Sequence, residues 1–327
     1  MSRRVPRVWV LNLEAEHELE SAGRFTPSRH LRAIVERESR RLTGGLVHPD
    51  DLVLDERALR ERPDCREFVG MCWSPTANAR ERLRSVGALL PAAPSVEALA
   101  AVNSRPFAAD VRAGLFHESF EKHVASSAAA ALSVLAQPAE AGWLVRRTFG
   151  AAGRGRRKVH AGDVREEDRA WLEASLALGP LVIEPWVEVT REYTRSGWVH
   201  EDGSLDVARP CLQSTTRVGA WIETAEARSA ELLERDDERL HEAAVAAGRA
   251  LAARGYFGPF GIDAFRHRVP HRVPGSRADV LNPLSEINAR FTMDWSLTME
   301  LRTPPSLTPT GAVVRARPTS STTRREA

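Results

Sequence analysis

The apolar residues of VPRVWVLNL (5 to 13) run together, with no alternation, before the chain turns polar at Asn12, Glu14, Glu16, His17 and Glu18. A continuous apolar run of this length fits a strand buried on both faces and feeding a loop. HLRAIVERESRRL (30 to 42) reads as a helix, DLVLD (51 to 55) and REFVGMCW (66 to 73) as short extended runs, and NARERLRSVG (78 to 87) as a second helix closed by glycine. Strand and helix in alternation predict a small parallel α/β domain over residues 1–100, of Rossmann-like type. Its loops after Leu11 and Trp73 then fall at strand carboxyl ends, where open α/β sheets bind ligands.

PAAPS (91 to 95) reads as a connector. Beyond it, VEALAAVNSRPFAADVRAGL (96 to 115) and the alanine-rich HVASSAAAALSVLAQ (123 to 137) read as helices flanking a short extended piece. WLV (143 to 145) and LVIEPWVEV (181 to 189) read as strands, and EYTRSGWVHEDGSLDVARP (192 to 210) as a hairpin turning at Asp202-Gly203. The clearest helix is 229 to 255, where Leu233, Leu240, Ala244, Ala247 and Leu251 share one stripe and Gly255 supplies the stop. FGIDAFRHR (260 to 268) and VLNPLSEINARFT (280 to 292) form a pair of strands around a loop rich in Pro and Arg. From residue 303 the chain is rich in Pro, Ser and Thr and poor in large apolar residues, a composition that predicts a disordered tail over 303–327.

Composition narrows the function classes. Lys and Arg total 46 against 44 Asp and Glu, so nucleic-acid binding would need a strongly localised basic patch and is disfavoured as a function. Only Lys122 and Lys158 are lysines, so an abundance of arginine is weak evidence for any site. Cys65, Cys72 and Cys211 form no CxxC pair, which fits a reducing, cytoplasmic setting. No apolar run reaches the roughly 18 residues of a membrane span. His17, His160, His200 and His241 show no zinc-ligand spacing, and neither Ser74 nor Ser285 lies in a GxSxG turn.

Three stretches carry chemistry. In SEINARF (285 to 291) the period of two places Glu286, Asn288 and Arg290 on one strand face. Glu and Asn two residues apart suit Mg²⁺, which takes a few oxygens and completes its shell with water and substrate phosphates. Asp263 adds a third oxygen if its strand pairs with this one as a hairpin. An ExNxR taken in isolation reads instead as a solvated strand face with a Glu/Arg pair. LVRRTFGAAGRGRRKV (144 to 159) supplies Gly150, Gly153 and Gly155 just after a strand, where bare backbone N–H groups can close over phosphate oxygens. Arg146 on that strand projects a fixed charge toward them, whereas Arg156, Arg157 and Lys158 belong to the strand leaving the loop, where solvation suffices. EPWVEV (184 to 189) offers Glu184, Val187 and Glu188 on an extended linker that could meet an adenine edge and ribose hydroxyls.

Together and in this order these pieces resemble the ATP-grasp superfamily over roughly residues 100 to 300, with the first 100 similar to the small α/β domain that usually precedes it. The resemblance implies an ATP-grasp domain over 101–302 with lobes of about 101–183 and 184–302, a triphosphate under the glycine loop, and adenosine held by EPWVE. It implies two Mg²⁺ ions on Asp263, Glu286 and Asn288, and a contact of Arg290 with the transferred phosphoryl group or the acyl phosphate. It also implies that Arg146 and Arg105 stand where the family keeps lysines, and that Arg217 stands where many members have another phosphate-facing cation. Arg keeps the charge and adds bidentate reach, but it is bulkier than Lys. FTMDWSL (291 to 297) lacks the acidic and histidine continuation of biotin-dependent carboxylases, which sets that activity aside. The expected reaction is an ATP-dependent ligation that activates a small-molecule or peptide carboxylate for attack by an amine, or less often a thiol. The alternatives are a kinase on the same scaffold and a catalytically weakened module that binds nucleotide or nucleic acid. A homodimer is left open.

Overall fold

The structure is a computed structural model that describes residues 5–21, 25–42, 45–61, 63–115, 121–150, 154–216, 221–227, 232, 235–270 and 277–299. The expected tail and the residues Gly153, Arg217 and Leu233 lie outside the described residues.

The chain opens with β1 (Arg7–Val10), α1 (Ala15–Glu20), α2 (Arg29–Leu42), β2 (Leu52–Val53), α3 (Glu56–Glu61), β3 (Val69–Cys72) and α4 (Ala77–Ser85). The three strands form a parallel sheet in the order β2-β1-β3. The unbroken apolar run of β1 has a physical reason. Val8 and Val10 pack on one face with Leu54, Ala79 and Leu83, while Trp9 packs on the other with Met71 and Trp73. Trp9 also meets Ala208, Phe291 and Trp295, so the first sheet shares its core with residues some two hundred positions later.

Next come α5 (Val96–Val102), α6 (Arg105–Ala113), β4 (His123–Ala125), α7 (Ala128–Leu135), β5 (Trp143–Arg147), β6 (Arg156–Val159), α8 (Glu166–Leu176) and β7 (Leu181–Pro185). The strands form an antiparallel sheet in the order β4-β7-β5-β6. Two helical expectations need correction here. The stretch 96–115 breaks at Ser104, whose hydroxyl accepts from the Phe107 amide and starts a new helix with Pro106 in its first turn. The stretch from 123 begins as an edge strand paired with β7, and the helix starts only after Ser127, which caps it.

The last unit holds β8 (Val189–Val199), β9 (Leu205–Thr215), β10 (Trp221–Glu226), α9 (Asp236–Ala253), β11 (Gly258–Pro270), β12 (Arg277–Asn288) and α10 (Trp295–Thr298), its antiparallel sheet ordered β10-β9-β8-β11-β12. The hairpin turns through Gly203 at φ +83°, as the Asp-Gly signal predicts. On the apolar stripe of α9, Ala243, Ala244, Ala247 and Leu251 pack with Phe260, Ile262, Leu284 and Ile287, and Leu240 with Tyr193, Ala264 and Leu281. That helix starts at Asp236 rather than near 229, with Asp236, Asp237 and Glu238 in its first turn, and Gly255 at φ +75° follows its end. Between β11 and β12 the pairing passes from Asp263↔Glu286 directly to Phe265↔Asn282. Pro283, with no N–H to give the ladder, falls in this irregularity. Among the described residues no helix is long and apolar enough to cross a membrane.

Candidate active site

A cleft of about 680 Å³ opens between the three sheets. Its floor is the β11–β12 pair, where Asp263 stands opposite Glu286 in register and Asn288 opposite Gly261. The hairpin that could bring a third oxygen to the Glu286 face is therefore present. Asn288 donates from Nδ2 to Asp263 Oδ2 at 2.9 Å, which fixes its amide, and its Oδ1 accepts from Arg290 Nη2 at 3.0 Å. Burial, reinforced by neighbouring Glu286, pushes the Asp263 carboxyl up to about 7. Two carboxylates paired across a ladder repel unless positive charge stands between them.

Four cations converge on this face. On β5 the alternation sends Trp143 and Val145 into the core and Leu144 and Arg146 into the cleft. Arg146 Nη2 lies 2.7 Å from Glu184 Oε1 on the neighbouring β7, and its Nη1 lies 3.4 Å from Glu286 Oε2. Arg105, at the start of α6, reaches Glu286 Oε1 with Nη2 at 3.2 Å. The same guanidinium donates to the Arg147 and Gly150 carbonyls at 2.9 and 2.8 Å, so it holds the chain where β5 enters the glycine loop. Burial alone would raise Glu286, but Arg105 and Arg146 hold it below the usual carboxylate range. The Nε atoms of Arg105 and Arg146 are buried without a hydrogen-bond partner among the described residues. Unspent donors of this kind are rare in a filled interior and suit an incoming anion.

The third cation is Lys122, which sequence reasoning did not single out as a site residue. Its Nζ lies 3.5 Å from Glu184 Oε2 and donates to the Ser285 carbonyl at 2.8 Å. Burial pulls this ammonium down to about 8 in spite of Glu184. A signal did exist in the sequence: both lysines of an otherwise all-arginine chain belong to this region, for Lys158 Nζ sits 4.5 Å over the Trp186 ring. The fourth cation, Arg290, lies just past the end of β12. Its Nε donates to Glu16 Oε1 at 2.6 Å, and its guanidinium stacks over Trp73 at 5.6 Å, which ties the first sheet to the floor.

Glycines shape the loop above. A Cβ on Gly150 would stand 2.5 Å from the Arg154 carbonyl oxygen, and Gly155 takes φ +69°. Arg156 lines the cleft, and Arg157 pairs with Asp168 and Glu167, so the strand leaving the loop is engaged and not merely solvated.

The linker residues divide. Pro185, Trp186 and Val187 line the cleft. Glu184 is 1% exposed, with one carboxylate oxygen toward Arg146 and the other toward Lys122. Glu188 lies on the exposed stretch beyond, paired with Arg268 at 2.9 Å, and does not line the cleft. The loops of the first sheet divide as well. Asn12 joins the two strand ends through Ser74, Thr76 caps α4, and Glu18 accepts from Thr76 and from the Asn78 amide, all structural tasks. Leu13, Glu14, His17 and Trp73 instead face the cleft.

Among the described residues there is no group of three or more His, Cys, Asp and Glu that could hold a metal. The pair Asp263 and Glu286 with the Asn288 amide is a hard-oxygen set, which fits Mg²⁺ and not a soft metal.

No family model and no curated protein matches the sequence. Among solved structures the chain is similar to a biotin carboxylase–β,γ-ATP complex from Campylobacter jejuni, at 16% identity over 88% of this chain and 66% of that one, with a TM-score of 0.53. It also matches the D-alanyl-alanine synthetase A of Vibrio cholerae at 14% identity over 87% of this chain and 89% of that one, TM-score 0.48. A third match is the N5-carboxyaminoimidazole ribonucleotide synthetase of Thermus thermophilus, at 17% identity over 87% and 71%, TM-score 0.46. Likeness at such identities concerns architecture, and on it the chain has the ATP-grasp fold.

Proposed function

We propose that the protein is an ATP- and Mg²⁺-dependent ligase that activates a substrate carboxylate as an acyl phosphate for attack by an amine, or less often a thiol. The observation that carries this reading is the convergence of Arg105, Arg146 and Arg290 on the Asp263, Glu286 and Asn288 face, beside a loop that needs glycine at 150 and 155. Paired carboxylates serve a dication, and arginines serve phosphate; a cleft that supplies both beside a glycine loop suits a nucleoside triphosphate.

In this reading Leu144, Trp186, Val187 and Phe265 form the apolar slot for the base, and Pro185 to Val187 present their backbone to its edge. Glu184 holds Arg146 and Lys122 in place, one carboxylate oxygen toward each. Asp263, Glu286 and Asn288 would hold Mg²⁺, which would supply positive charge to offset that of the phosphates. Arg105 and Arg146 exchange Glu286 for phosphate oxygens. The substrate carboxylate oxygen attacks the γ-phosphorus and the bond to the β-phosphate oxygen breaks, which releases ADP. The amine then attacks the acyl carbon, phosphate departs, and Arg290 stabilises the oxyanion formed on the way. The glycine loop excludes water from the acyl phosphate.

Incubation with ATP, Mg²⁺ and pooled carboxylates and amines, with ADP measured by mass spectrometry, tests the reading. At least one pool raises ADP release by wild type and none does so for Glu286→Ala. Equal background release by both proteins with every pool overturns it.

A further inference from the structure

The cleft has a second arm that the nucleotide and metal roles leave unused. It runs from Arg290 toward the first sheet and is lined by Leu13, Leu31, Ile34, Val35, Trp73 and Met293. On α2, positions 31, 34, 35 and 38 recur at helical spacing, and the same positions are half-buried while 32, 33, 36 and 37 are exposed. Leu31, Ile34 and Val35 belong to none of the buried clusters of the described residues, so this helix does not use its apolar stripe to build the core. The stripe instead walls a cavity continuous with the phosphate face. Such a wall selects by apolar contact, and selects well only for a group that fills it.

Charge in the arm points the same way. Arg290, its cation, stands at the mouth of the arm, where it pairs with Glu16 and donates to Asn288 and, in the ligase reading, turns to the acyl oxygen rather than to the arm. Glu14 lines the arm, and its Oε2 is buried with no hydrogen-bond partner among the described residues. A buried acceptor of that kind calls for a donor. The arm therefore sets Glu14, with Glu38 and His17 also in its lining, beside a large apolar surface, which suits an ammonium on an apolar body and disfavours an anion.

We propose that this arm is the acceptor subsite, and that the acceptor is a primary amine carrying a branched aliphatic or aromatic group, its ammonium at Glu14 and its apolar group against Ile34, Val35 and Trp73. The proposal rests on the ligase reading, from which the need for an acceptor comes. It adds the acceptor's chemistry and the helix that selects it. A polar amine of the same backbone is discriminated against because it would bury its hydroxyl or charge against α2 without a partner.

Calorimetric titration of the full chain, with Mg²⁺ and the non-hydrolysable β,γ-imido analogue of ATP present, separates this from turnover. L-leucinamide and L-serinamide are the probes. Leucinamide binds at least ~10-fold tighter, as expected for burial of an added apolar group. Ile34→Asp removes that preference while binding of the ATP analogue is unchanged, and Glu14→Gln weakens both amides. Ile34→Ser replaces Ile34→Asp should the latter fail to bind the analogue. Equal affinities for the two amides, no binding of leucinamide, or a preference that persists in the Ile34 variant overturns the proposal. ADP release that depends on Glu286 would in those cases still stand, and its absence would instead overturn the ligase reading.

Discussion

Arg146 and Glu184 face each other from adjacent antiparallel strands, Nη2 to Oε1 at 2.7 Å, and the second nitrogen of the same guanidinium reaches Glu286 on a different sheet. One planar side chain therefore spans the two halves of the cleft. A lysine is a single point of charge and cannot hold both carboxylates with this geometry. Arg146→Lys is expected to keep the fold by circular dichroism and to lower kcat/KM for ATP roughly 10-fold or more, since one charge-assisted hydrogen bond is about 1.5–3 kcal/mol. An unchanged kcat/KM would show that the bridge has no role in turnover.

Lys122 supplies a pH signature. Burial lowers its ammonium from the usual 10.5 to about 8, against the pull of Glu184. Between these two values the unfolded chain keeps a proton that the folded chain has given up, so folding becomes more favourable as pH rises through this window. Below about 8 both states are protonated and this contribution is flat. Urea midpoints measured from about pH 7 to about pH 10 on wild type and Lys122→Met (roughly one pH unit below the titration to two above it) should diverge, with wild type gaining relative to the variant above about pH 8. Parallel curves would contradict this placement of the amine.

Gly150 limits the loop by a close approach of backbone to backbone. A methyl group there would stand 2.5 Å from the Arg154 oxygen and 3.1 Å from Arg105 Nη1, so both the loop and its anchor must move. Gly150→Ala is expected to weaken ATP binding about 10-fold, or about 1.4 kcal/mol, with little change in melting temperature. Titration with the β,γ-imido analogue measures it, and equal affinity for the two proteins would remove the loop from the site.

Away from the cleft, Asp236 at the start of α9 accepts from Tyr193 Oη at 3.0 Å and pairs with Arg266 Nη1 at 2.6 Å, with 1% of its surface exposed. Without Asp236 the Arg266 guanidinium keeps Asp279 at 3.3 Å, so the expected loss is that of a charge-assisted hydrogen bond, about 1.5–3 kcal/mol. Asp236→Ala should show that loss in urea unfolding, whereas Tyr193→Phe should cost only about 1 kcal/mol. A loss below ~1 kcal/mol for Asp236→Ala would show that the network is solvated in solution.

The floor of the cleft was legible because its signal is local. Period two put Glu286 and Asn288 on one face, and a single hairpin brought in Asp263. The helix over 236–253 was legible through its stripe, and β1 through its unbroken apolar run. Lys122 was not legible as a site residue, because its partners Glu184 and Ser285 lie 62 and 163 positions away and nothing next to it in sequence marks it. The edge strand at 123 to 125 was hidden for a similar reason: its alanine-rich neighbours favour helix, and only pairing with β7 overrides them. Glu14 and Glu18 looked alike in sequence, yet one faces the cleft and the other, on α1, accepts from Thr76 and Asn78 at the start of α4.

Activation of a carboxylate by phosphorylation is tested most directly by isotope transfer. With ¹⁸O in both carboxylate oxygens of a substrate that stimulates ADP release, attack on the γ-phosphorus carries one labelled oxygen into the acyl phosphate. Amine attack then breaks the bond from the acyl carbon to that oxygen and leaves it in inorganic phosphate. Mass spectrometry of the released phosphate should find one ¹⁸O per phosphate, and none with Glu286→Ala, which forms no product. Unlabelled phosphate from the labelled substrate, or a stable phosphorylated product with no phosphate released, would contradict the account.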